Sequence, residues 1–153
     1  MIDIRPIERR DVPEVLALVA GVLAEHGLVF GKGSATDDQL RDLPGSYEHH
    51  GGAFWIASHA GALVGTCGVF PLAADTFELR KMYLRPTARG LGLGKRLLDV
   101  AVDWTRARGG TCMVLDTVEE MSRAIAFYEA NGFVRDDAQI RGARCTRGYA
   151  RRL

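Results

Sequence analysis

The sequence predicts a mixed fold of the α/β (α+β) class, and three observations carry that prediction. Short β-rich runs alternate along the chain with stretches whose apolar residues recur at helical spacing. Two of the β-rich runs, "AFWIAS" and "ALVGTCGVF", are parted only by "HAG", as in a hairpin. A strand, a glycine-rich turn and a helix then follow directly on one another in "ELRKMYLRPTARGLGLGKRLL". At 153 residues the chain is long enough to bury a core without metals or disulfides.

The elements read in order as follows. "IDIRPIE" is a first strand. Asp11 reads as the cap of a helix with Pro13 and Glu14 in its first turn, running to about Glu25 with Val15, Leu16, Leu18, Val19, Val22 and Leu23 forming an apolar stripe. The segment 26–52 is loop-rich, with a short helix capped by Thr36 or Asp37 and ended before Pro44. After the hairpin comes the strand "TFELRKMYL", then the glycine turn and a helix with Leu93, Leu97, Ala101 and Trp104 along one side. "CMVLD" reads as a buried strand parallel to "TFELRKMYL". "SRAIAFYEANGF" is a helix closed by Asn131-Gly132. Phe133-Val134 and "RCTRGYARRL" supply the last strands. No repeat, linker or low-complexity tract interrupts the series, so one domain is expected over residues 1–153.

No stretch approaches the roughly 20 apolar residues of a membrane span. The N-terminus places charges where a secretory signal needs an apolar segment, so a cytoplasmic protein with no membrane partner is expected. Cys67, Cys112 and Cys145 are odd in number and far apart, which fits reduced thiols better than disulfides or zinc. His49 and His50 are adjacent, which is not metal-ligand spacing on one helix face, and no metal is assigned. Charge is uneven: residues 1–77 hold five Lys/Arg against ten Asp/Glu, whereas residues 78–96 hold six Lys/Arg against Glu78 alone. The basic segment calls for an anionic guest. The arginines after residue 134 lack interleaved aromatics, which argues against nucleic acid.

A strand, glycine turn and helix make an anion site, because the helix start presents unpaired N–H groups and the positive end of its dipole. Spacing decides which kind. The dinucleotide fingerprint G-x-G-x-x-G fails in both frames, with Lys95 or Leu97 at its third glycine. The P-loop fails because Arg89 stands at its first glycine and Arg96 at its hydroxyl. What remains is [Q/R]-x-x-G-x-[G/A], met by Arg89, Gly92 and Gly94.

With this motif, the "IRPIERRDVPEV" start, the hairpin and "AIAFYEANGF" in that order, the sequence resembles the GCN5-related N-acetyltransferase (GNAT) superfamily over almost its whole length. The resemblance implies a twisted, mostly antiparallel sheet of about six to seven strands flanked by about four helices, with strands splayed at an acetyl-CoA site. It implies that backbone N–H groups across Gly90, Leu91, Gly92, Leu93, Gly94 and Lys95 grip the pyrophosphate of acetyl-CoA, helped by the side chains of Arg89, Lys95 and Arg96. The pantetheine arm is then expected along the preceding strand at Met82, Tyr83 and Leu84. Where the family commonly carries an asparagine on that arm, this sequence has Ser122, which either replaces the contact or caps the helix.

Acetyl transfer to an amine needs a base, since a free alkyl amine has a pKa near 10. Glu78 stands four residues before Met82, so strict alternation puts the two on one face of the strand. The resemblance implies that it is the general base; the competing reading is an ion pair with Arg80 or Lys81. Tyr128 matches the tyrosine that supplies a proton to the leaving thiolate, the competing reading being a core aromatic. The acidic residues Glu25, Asp37, Asp38, Asp42 and Glu48 fall in segments that wall the family's acceptor pocket, and they lead to an expected acceptor that is a small cationic amine or amino-acid-like compound. A non-catalytic coenzyme A-binding module on the same fold is the alternative. A homodimer is compatible with the family habit.

Overall fold

The computed structural model describes residues 1–153. Seven strands form one sheet: β1 (Ile2–Pro6), β2 (Ala53–His59), β3 (Ala62–Pro71), β4 (Thr76–Leu84), β5 (Cys112–Thr117), β6 (Val134–Arg135) and β7 (Arg147–Arg152), in the spatial order β1-β2-β3-β4-β5-β7-β6. All neighbours are antiparallel except β4 and β5. The helices are α1 (Val12–Glu25), α2 (Gly45–Glu48), α3 (Leu93–Ala107) and α4 (Ser122–Ala130).

Each element forms where the apolar pattern demands it. The β2-β3 hairpin closes on Ala60-Gly61, both with positive φ (52° and 81°), the geometry that matches strand twist in a two-residue turn. Helix α1 buries Val15, Leu18, Val19, Val22 and Leu23 against one sheet face, together with Leu40, Leu43 and Tyr47. Helix α3 buries Leu93, Leu97, Leu98, Ala101 and Val102 on the other, where Ile125 and Tyr128 of α4 join it. Gly132, with φ 88°, ends α4 as expected.

Two expected caps are not caps. Asp11 precedes α1 but makes no bond to its N–H groups; both its oxygens accept from Arg5 at 2.8 Å, and one also accepts from the Glu8 N–H. Asp37 precedes a 3-10 turn over Asp38–Asp42 and likewise spends its carboxylate elsewhere. Asp11 thus serves the turn before the helix and Arg5 of β1, whereas Asp37 is taken by cations from distant segments, Lys81 and Arg144, each an ion pair of two charged groups.

The sheet opens in its middle. β4 and β5 pair in register only over Thr76–Glu78 with Cys112–Val114. Beyond that point β4 carries a bulge: Gly68 faces Arg80 and Thr66 faces Tyr83, so Lys81 and Met82 together oppose Cys67. Lys81 takes φ 54°, and Thr66 Oγ1 donates to its carbonyl at 2.7 Å, which holds the kink. The bulge overturns the expectation that Glu78 and Met82 share a face. Phe77, Leu79, Met82 and Leu84 belong to the α3 side, while Tyr83 packs on the α1 side and Glu78 bonds to Arg80 in the cleft of that half.

Candidate active site

Where β4 leaves β5, two clefts meet. The first, about 610 Å³, runs from the glycine turn to the start of α4. The second, about 580 Å³, lies toward the loop after α1 and the segment 141–145. Met82, Tyr83, Met121 and Tyr128 line both, so the two spaces join over the splayed strand.

The first cleft is built from backbone. Gly90 and Gly92 hold φ of 78° and 77°, a region closed to side-chain-bearing residues at low cost, and α3 starts directly after them. The backbone N–H groups from Gly90 to Lys95 donate to no acceptor in the chain, the first loop-to-helix bond being Arg96 N–H to the Gly92 carbonyl at 3.2 Å. That leaves a row of donors at the positive end of a helix. Of the expected coenzyme residues, Met82, Tyr83, Leu84, Arg89, Gly90, Gly92, Leu93, Gly94, Lys95 and Ser122 line this cleft; Leu91 and Arg96 do not.

Several side chains behave differently from expectation. Arg89 turns inward: Nε and Nη2 donate to the Leu84 carbonyl at 3.2 and 2.9 Å, and Nη1 and Nη2 clamp Glu25 at the end of α1 at 2.7 and 3.0 Å. It therefore ties strand, turn and α1 together, and the Leu84 carbonyl is already satisfied. Lys95 pairs with Asp99 one turn along α3 at 2.6 Å, and Arg96 reaches back to the Ile2 carbonyl at 3.4 Å. Ser122 is exposed at the first turn of α4 and caps nothing; Met121 holds the cap position without a side-chain bond.

The second cleft is built from charge. Asp37 is fully buried, and its carboxylate receives Lys81, Arg144 (2.9 and 3.2 Å) and the Gly31 N–H (2.8 Å). Burial alone would push this carboxyl up, but Lys81 and Arg144 outweigh it and hold the pKa below its usual range. Burial lowers Lys81 against the partial support of Asp37. Glu78, buried, takes Arg80 Nε at 2.5 Å on Oε1; its Oε2 has no hydrogen-bond partner, with Arg141 Nη1 standing 3.5 Å away. The ion pair with Arg80 expected of Glu78 is present on Oε1, and it leaves Oε2 as an open acceptor. Tyr128 is buried where the clefts join, and burial pushes its phenol above the ordinary range, so it carries its proton at neutral pH.

The expected acidic field is largely spent. Glu25 is clamped by Arg89, Asp37 carries two cations, and Asp38 sits 3.7 Å from Arg41. Asp42 and Glu48 do not line the cleft, whereas Arg80, Lys81, Arg141 and Arg144 do. Arg141 and Arg144 escaped sequence reading because they come from a loop before β7, more than a hundred residues from Asp37 in the chain. Their only signal was the pair of arginines in "RGARC". Cys67, Cys112 and Cys145 are free thiols, and no group of His, Cys, Asp or Glu is arranged to hold a metal ion. No helix is long and apolar enough to cross a membrane.

Two clefts that open into each other over a free strand edge have room for two molecules side by side. Residues 23–133 match the acetyltransferase (GNAT) family, and the chain belongs to that family. Its activity class is accordingly that of an acetyl-CoA-dependent acyltransferase. The chain is 37% identical over 136 residues to an uncharacterized N-acetyltransferase, YjgM, of Escherichia coli K12, a match covering 84% of this chain and 81% of the other. Its fold is similar to that of an acetyltransferase of the GNAT family from Staphylococcus aureus Mu50, with a TM-score of 0.91 at 26% identity over 100% of this chain and 99% of that one. In fold alone it is similar to yncA of Salmonella typhimurium, solved with its cofactor acetyl-CoA, with a TM-score of 0.75 at 17% identity over 99% of this chain and 92% of that one.

Proposed function

We propose that this protein, acting as one domain over residues 1–153, transfers the acetyl group of acetyl-CoA to the primary amine of a small-molecule acceptor by direct attack in a ternary complex. The observation that carries the reading is the junction itself. One cleft ends in a row of unused backbone donors, the other holds the unpartnered Oε2 of Glu78, and Tyr128 lies between them.

In this reading the N–H groups from Gly90 to Lys95 bind the pyrophosphate of acetyl-CoA, and the free edge of β4 at Met82 and Tyr83 guides the pantetheine arm toward the junction. Glu78 accepts the proton released when the acceptor nitrogen attacks the thioester carbon. As the carbon–sulfur bond breaks, the Tyr128 phenol donates its proton or a hydrogen bond to the thiolate. General acid and base catalysis of this kind supplies about 10² to 10⁴ in rate each. Arg89 serves by holding the strand and turn in place rather than by touching the phosphate.

A thiol-release assay with acetyl-CoA against amino acids, polyamines, aminoglycosides and peptide N-termini tests the reading, with Tyr128→Phe as the companion. Turnover of at least one amine is expected, falling about 100-fold in the variant while acetyl-CoA affinity stays the same. Retained acetyl-CoA binding with silence across the panel would instead identify a non-catalytic coenzyme-binding module.

A further inference from the structure

The charged groups of the second cleft bear on which amine is used. Both buried carboxylates there are shared between two cations: Asp37 between Lys81 and Arg144, and Glu78 between Arg80 and Arg141. Each cluster holds one more positive than negative charge, but Asp38 and Asp116 also line the cleft and bring its lining close to balance, so selectivity rests on where single groups stand. Asp116 keeps its charge nearby, but its Oδ2 accepts the backbone N–H groups of Arg141 and Gly142 at 2.7 and 2.8 Å and makes no bond to the Arg141 guanidinium. Those two bonds also fix the loop that carries Arg141 against β5.

Arg141 is the cation free to change partners. Its side chain is 44% exposed in the cleft, and its contacts inside the chain are Nη1 to the Gln139 carbonyl at 3.0 Å, Nη2 to Gln139 Oε1 at 3.3 Å and the longer approach to Glu78. Guanidinium donors remain unused. Beside it stands an independent sign of a guest, the buried Glu78 Oε2 with no hydrogen-bond partner. An unmet buried acceptor calls for a donor such as an amine N–H, and a neighbouring guanidinium calls for a carboxylate. The two atoms lie 3.5 Å apart, the scale on which an α-amino acid carries its own amine and carboxylate.

We infer that the acceptor is a zwitterion whose amine is received by Glu78 and whose carboxylate is bound by Arg141, with Arg80 holding Glu78 in place. This deepens the acetyltransferase reading above and rests on it. Arg141 is then the specificity-determining residue, discriminating acids from their neutral analogues.

The test compares α-amino acids with their carboxamides and with the corresponding decarboxylated amines, in the same thiol-release assay. The intact protein should prefer the acid over the amide by about 10- to 100-fold in kcat/KM, the range expected for a charged hydrogen-bonded pair. Arg141→Gln should bring that ratio close to one, and Arg141→Lys should restore part of it. Equal use of acid and amide by the unaltered protein overturns the inference while leaving the acetyltransferase reading standing, and so does an acid preference that Arg141→Gln leaves unchanged. Absence of turnover with every amine defeats the catalytic reading instead. Thermal shift in the presence of coenzyme A then decides the acceptor class, stabilisation by acids but not amides supporting it and the reverse overturning it.

Discussion

Replacing Asp37 by Asn tests how the second cleft is held together. The carboxylate is 0% exposed, and the side chains it carries, Lys81 and Arg144, are 5% and 13% exposed. Removing its charge leaves the Lys81 ammonium in a dry site with Arg144 as its closest charged neighbour, an uncompensated buried cation that costs about 3–5 kcal/mol. For a chain of this length each kcal/mol moves Tm by about 2–4 °C, so a drop of about 6–20 °C is expected. Urea unfolding at pH 7.5 followed by circular dichroism measures the free energy, with an unchanged m value showing that the folded state is otherwise intact. Asp37→Leu combined with Lys81→Met and Arg144→Leu should recover part of the loss, since apolar side chains then replace all three ions of the cluster. The sign with pH also follows. A carboxyl held below its unfolded value stabilises fully above about pH 4, and that contribution is lost as pH falls through the depressed folded value. The gap between the unaltered protein and Asp37→Asn should therefore narrow on acidification. A loss below about 1 kcal/mol at pH 7.5, or a gap that widens in acid, would refute the account of Asp37 as the anchor of the cleft.

Four further outcomes follow from local geometry. Gly92→Ala puts a Cβ on a residue with φ 77° where nothing lies within 4 Å, so its cost is backbone strain of about 1–2 kcal/mol; acetyl-CoA affinity by titration calorimetry should fall about 10-fold. Gly94→Ala, whose Cβ would meet Phe127 at 3.4 Å without left-handed backbone, should be the milder change. Thr66→Val removes the hydroxyl that holds the Lys81 carbonyl in the β4 bulge and leaves a buried acceptor unmet, for an expected destabilisation of about 1–3 kcal/mol in denaturant. Glu25→Gln breaks the half-exposed clamp on Arg89 and should change stability by less than about 1 kcal/mol in the same measurement, because solvent screens the pair.

Much of the fold was legible because it is written in local patterns. The span of α1, the hairpin, β4, β5, α4 with its Gly132 terminus, and the glycine turn before α3 all follow from apolar periodicity and from residues that only certain backbone conformations accept. The anion-binding character of Gly90 to Lys95 follows in the same way, since unpaired N–H groups belong to any helix start. Side-chain roles were legible only where a neighbour in sequence is also the neighbour in space, as with Glu78 and Arg80.

Tertiary structure decided the rest. The bulge at Lys81 depends on Thr66 of the adjoining strand, and it separated Glu78 from Met82, which alternation alone would have placed together. Asp11 and Asp37 looked like helix caps, yet Asp11 pairs with Arg5 of the adjoining strand and Asp37 with Lys81 and Arg144 from far along the chain. Arg89, expected beside the phosphates, bonds to Glu25 at the end of α1 and to the Leu84 carbonyl. The acidic first half looked like a field for cations until arginines from before β7 reached it. Backbone conformation is set within a few residues and can be read along the chain, whereas the sign of a cleft depends on which charges the fold brings within hydrogen-bond reach, and those charges come from segments far apart in sequence.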